Sequence, residues 1–129
     1  MIIESTARAS MGRMELRALA RQIDAISRRY ADVYGFERDA DWLVLKLQEE
    51  VGEVVQAWLA KTGRQRDKGH SPEEIDRRFA LELADAVGML LALAEATGVD
   101  IEQAIDEKWL VWDRRVSQRA GEADAPEQD

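Results

Sequence analysis

The chain has 129 residues, 46% hydrophobic and 34% charged, with a formal net charge of -8 and no cysteine. That size and balance suit one folded, largely helical domain with a core of its own. Such acidity disfavours nonspecific binding to a nucleic-acid backbone, and the lack of cysteine excludes a disulfide framework and a thiolate zinc site.

The opening Met-Ile-Ile-Glu-Ser-Thr-Ala-Arg has neither a basic lead-in nor an adequate apolar segment, so a signal peptide is not expected. Residues 1–13 show no usable period and are expected to form a flexible arm ahead of a helical domain over 14–119. From Leu16 the apolar positions Leu16, Leu19, Ile23, Ile26, Tyr30 and Val33 step by three and four, which predicts a first helix ending near Gly35. Asp39 or Asp41 caps a second helix running to about Lys61, with Leu43, Leu47, Val51, Val54 and Trp58 as its apolar sector. Two glycines mark the basic stretch from Lys61 to His70 as a loop. An ordinary solvated connection is the expected role for that loop, closure over pyrophosphate the alternative. His70 beside it reads as a solvent residue.

Ser71-Pro72-Glu73-Glu74 opens a third helix with a serine cap, a proline in the first turn and a capping-box glutamate; Thr97-Gly98 ends it. Asp100 caps a fourth, whose inward stripe is Ile101, Ile105, Trp109, Trp112 and Val116. Residues 120–129 lack apolar content and are expected to be a disordered acidic tail. The longest apolar stretch, Ala86 to Ala94, is far short of the roughly 20 residues a membrane helix needs. The fold expected is all-α, a four-helix bundle protomer, in the cytoplasm.

Two helical runs carry acids three residues apart: Glu50 and Glu53 in the second helix, Glu82 and Asp85 in the third. That spacing sets each pair about 60° apart on its helix, so both carboxylates can face one object. From Phe79 to Ala94 every residue except Glu82 and Asp85 is apolar or glycine, the pattern of a helix buried on nearly all sides. Like charges about 4 Å apart repel by roughly 4 kcal/mol at a moderate effective dielectric. Four converging acids therefore require cations, and an oxygen-only donor set points to Mg²⁺, with Mn²⁺ as a substitute. Lys46 and Trp42 continue the margin that carries Glu50 and Glu53, while Glu49 lies further round.

At Glu49-Glu50-Val51-Gly52-Glu53 and Glu82-Leu83-Ala84-Asp85 the chain resembles the MazG-like, all-α nucleoside triphosphate pyrophosphatase superfamily, over roughly Trp42 to Trp109. The paired motif on consecutive helices carries the resemblance; the first motif alone is weak. The resemblance implies hydrolysis of a (d)NTP to a nucleoside monophosphate and pyrophosphate by a metal-activated water, in a homodimer or homotetramer. It implies Glu50, Glu53, Glu82 and Asp85 as metal ligands and Glu49 as a further, catalytic acid that holds a second metal or orients the attacking water. An exposed partner of a basic side chain is the other reading of Glu49. The resemblance also implies Lys108 as a phosphate contact; one turn on, where many members carry asparagine, this chain has Trp112.

Lys46 and Lys108 suit either a phosphate oxygen or a salt bridge with the acids. Trp42 is placed to stack a base, although packing is the commoner role for such a residue. Trp58, Trp109 and Trp112 read as core or interface. A ferritin-like di-iron bundle would require Glu-x-x-His pairs, which neither motif supplies. Activity like that of phosphoribosyl-ATP pyrophosphohydrolase, and a noncatalytic module whose acids bind a basic partner, are the two other readings of the same acids.

Overall fold

The computed structural model describes residues 15–66 and 68–123. Four helical rods follow one another, with no strand among the described residues: α1 (Leu16–Tyr34), α2 (Ala40–Lys61), α3 (Pro72–Ala96) and a last rod. The last rod joins α4 (Ile101–Ile105), a π-helical turn (Asp106–Leu110) and α5 (Val111–Ala123). The helix thus continues through 120–123, which the sequence assigns to the tail; the rest of that tail and the arm at 1–13 lie outside the described residues. No described helix is long and apolar enough to cross a membrane.

Local signals set the helix ends. Gly35 takes φ +69°, which lets the Phe36 amide donate back to the Ala31 carbonyl at 3.1 Å and close α1. Of the two candidate caps for α2 the chain uses Asp39, whose carboxylate accepts from the Trp42 amide at 2.8 Å. Ser71 and Glu74 form a reciprocal capping box, each side chain accepting from the other's amide at 3.2 Å.

α3 packs against both α1 and α2. The buried core is mostly alanine, Ala20 and Ala31 on α1, Ala57 on α2, Ala92 and Ala94 on α3, with Leu43 on α2 and Leu91 on α3 as its large side chains. At Gly88 a Cβ would stand 3.9 Å from the Ile23 side chain, ordinary van der Waals contact, so α1 and α3 meet there without needing a glycine. On the other flank the rings of Trp58 and Phe79 join α2 to α3 at 5.4 Å.

Each of the first two helices buries a line that contains one acid. On α1 that line is Ala20, Asp24 and Ala31, in steps of four and seven; on α2 it is Leu43, Glu50 and Ala57, in two steps of seven. Glu50 therefore stands in the middle of the buried face of α2, not at the margin that a hydrophobic projection gives it. Val51 and Trp58, assigned to that sector, are exposed, as are Ile26, Tyr30 and Val33 of the α1 seam.

Two further expectations are corrected. α3 is not buried all round: Leu81, Leu83, Val87 and Leu90 are exposed because helices of the same chain cover only part of its circumference. The last rod does not close a four-helix bundle within the chain. It meets α1 through α4, where Arg17 pairs with Asp100 at 3.4 Å, and the stripe residues Trp109, Trp112 and Val116 are 70%, 57% and 63% exposed.

Candidate metal centre

Glu50 and Glu53 lie three residues apart on α2, and Glu82 faces them from α3. One carboxylate oxygen of each lies within 4.8 Å of those of the other two. Glu50 is buried and the other two are half-buried. Lys46, one turn earlier on α2, reaches Glu50 Oε1 at 3.5 Å, while Glu50 Oε2 is buried with no hydrogen-bond partner. An orphaned carboxylate oxygen at a convergence of three acids is costly, and a divalent cation is the species that relieves it. The donor set, oxygen only, fits a hard cation.

Electrostatics agree with the crowding. Burial, and then the neighbouring Glu53, push the Glu82 carboxyl above its ordinary range, while Arg78 at 3.5 Å pulls the other way. The Lys46 ammonium is raised, chiefly by its hydrogen bond to Glu49 at 3.0 Å, with Glu50 adding to the effect.

The remaining sequence candidates are distributed as follows. Asp85 is exposed and stands outside the three-acid convergence, on the border of two cavities that flank it. Glu49 points outward, its side chain 57% exposed and tied to Lys46. Trp42 is half-buried and lines one of the cavities together with Lys46. Lys108 is exposed on the π-helical turn and lines neither cavity, because the last rod leads away from α2 and α3.

Each cavity has its own chemistry. The first, about 700 Å³, is aromatic and apolar, with Tyr30, Phe36, Trp42, Ile23, Ile26 and Met89 in its wall and Glu50 and Asp85 at its border. Phe36 packs between Trp42, tilted against it at 5.0 Å, and Tyr30, edge-on at 6.0 Å. The second, about 580 Å³, is richer in cations: Arg66, Lys68, Arg77 and Arg78 line it with His70, against the acids Glu74, Glu82 and Asp85. Arg78 is held by Glu82 and His70 by Glu74 at 3.1 Å, whereas Arg66, Lys68 and Arg77 form no ion pair with the described residues. Lys68 takes φ +53°, a conformation uncommon outside glycine that aids the sharp turn of this loop.

Sequence reasoning overlooked Arg77, Arg78 and most of the aromatic wall. The arginine pair had a usable signal, lying four and five residues before Glu82 and so one turn away on the same helix. Tyr30, Phe36 and Met89 had none, because they meet only when three helices pack.

The chain matches no protein-family model and no curated protein.

Proposed function

We propose that the protein is a Mg²⁺-dependent nucleoside triphosphate pyrophosphohydrolase of the MazG-like, all-α kind. The observation that carries the reading is the convergence of Glu50, Glu53 and Glu82 with a buried, unpartnered oxygen on Glu50. Supporting it are an aromatic cavity on one border of the acids and a cationic cavity on another, the chemistry of a base at one end and of phosphates at the other.

Glu50, Glu53 and Glu82 would hold the ion, with Asp85 at the rim as a fourth acid. When bound, Mg²⁺ supplies charge neutralisation for the phosphates and lowers the pKa of a water. The chain's own groups do the rest. Lys46 fixes one oxygen of Glu50 and leaves the other, buried, without a hydrogen-bond partner. Trp42, half-buried in the cavity wall and backed by Phe36, offers an aromatic surface to a base, restricting where the nucleoside end can sit. Arg66, Lys68 and Arg77 offset the charge of the phosphate tail and of the released pyrophosphate. Glu49, tied to Lys46 on the outer side, acts here by orienting that lysine rather than by touching the reacting atoms.

The exposed apolar stripe of the last rod, with Leu83, Val87 and Leu90 on α3, supports a homo-oligomer in which another copy covers these faces. Sedimentation equilibrium giving a single-chain mass would refute that part.

The test is a screen for pyrophosphate release over nucleoside triphosphates, with and without Mg²⁺, run beside Glu53→Gln. Release that needs Mg²⁺ and disappears in the variant is expected. Equal rates in both proteins would remove the site, and metal-independent silence across the screen would favour a binding module.

A further inference from the structure

Three polar side chains at the aromatic cavity, Ser27, Glu37 and Asp85, form no ion pair or side-chain hydrogen bond with the described residues. Of the two carboxylates, Glu37 is the one that does not share a helix with the acid cluster. It belongs to the short turn between α1 and α2, and both of its neighbours in sequence are fixed. Phe36 is wedged between the rings of Tyr30 and Trp42. Arg38, its side chain only 4% exposed, is gripped by the buried Asp24, which also accepts from Arg28 at 2.9 Å. A turn clamped on both sides presents Glu37 at the cavity with little freedom in its backbone. Glu37 itself forms no ion pair or side-chain hydrogen bond with the described residues, and it lines the cavity beside Phe36.

We infer that this cavity selects guanine-type bases, with the Glu37 carboxylate as the residue that reads the base; the inference rests on the nucleotide reading above. A carboxylate only accepts, and it accepts best from two donors side by side. Guanine presents such a pair, N1–H and the 2-amino group, on one edge. Adenine and cytosine pair one amino donor with a ring-nitrogen acceptor that repels the second carboxylate oxygen. Uracil and thymine set a single N–H between two carbonyls, the least favourable edge of all. The wall offers no free cation to reward those carbonyls, because Lys46, its one lysine, is committed to Glu49 and Glu50. Ser27, half-buried in the same wall, has a hydroxyl able to donate to a base carbonyl such as O6. The volume, about 700 Å³, is ample for a purine.

The experiment is isothermal titration of the full chain, in Mg²⁺, with GMP and with UMP, repeated on Glu37→Gln, alongside pyrophosphate release from GTP and UTP. Glu37 is exposed, so the variant is expected to fold as the parent does. In the parent, GMP should bind about tenfold tighter than UMP, the contribution of a charge-assisted pair of hydrogen bonds. In Glu37→Gln that ratio should fall to about twofold, since the amide keeps only one acceptor and adds a donor suited to uracil. Equal or tighter binding of UMP by the parent overturns the inference, as does an unchanged ratio in the variant or a failure to bind either nucleotide. A guanine preference that depends on Glu37, in a protein that releases no pyrophosphate, supports the base pocket while removing the hydrolase reading.

Discussion

Lys46 satisfies one oxygen of Glu50 and leaves the other without a partner: Nζ stands 3.5 Å from Oε1, and Oε2 is buried with no hydrogen bond. A structural salt bridge built for stability would not strand half of the carboxylate. Glu50 also contributes a carboxylate oxygen to the convergence with Glu53 and Glu82, so the lysine fixes the acid in place while one of its oxygens stays without a partner.

The raised Glu82 carboxyl gives a pH signature. In the folded, metal-free chain burial and Glu53 hold its proton more tightly than the unfolded chain does. Stability is therefore unaffected where both states are protonated, falls as pH rises from the ordinary glutamate value through the raised one, and is flat above. Thermal midpoints of the metal-free protein should decline across that window relative to Glu82→Gln. The Gln variant should be the more stable of the two at neutral pH, at the cost of the site. Parallel midpoints in the two proteins would show that Glu82 carries no such strain.

The clamp beneath the first turn should matter to the fold. Arg38→Ala leaves Asp24 buried with only the partly exposed Arg28 as partner. Removing one member of a buried ion pair costs about 3 kcal/mol, so the urea midpoint should drop clearly with an unchanged slope. A change within about 0.5 kcal/mol would contradict the burial of that pair.

The helix caps were the most legible part of the sequence, since Ser71 with Glu74, Asp39 and Gly35 act within a few residues of themselves. The acid spacing was equally plain: three of the four acids meet as the two motifs suggest. Less legible was how the faces are used. A projection by hydrophobicity assigns a charged residue to the edge of a stripe, so it missed that Glu50 holds the centre of the α2 contact. The run from Phe79 to Ala94 looked buried because burial was inferred from composition, whereas a single chain leaves Leu83, Val87 and Leu90 uncovered. Lys108 follows from the same limit, because where the last rod points depends on contacts that no local pattern encodes.

The cationic cavity should bind the tail of the substrate and not its nucleoside end. Lys68→Ala combined with Arg77→Ala should weaken a nonhydrolysable triphosphate by about fivefold, the scale of two exposed charges, while the monophosphate binds as before. The effect should shrink as salt is added. Equal losses for both ligands would assign these cations to folding instead.

The account stands on one cluster of carboxylates holding a divalent ion. Titration of the full chain with Mn²⁺, followed by the loss of the free-ion electron paramagnetic resonance signal, reads that directly. Saturable binding in the parent that is lost in Glu50→Gln and in Glu53→Gln, with helical content retained, is the predicted result. Binding of equal strength in the parent and both variants would contradict it.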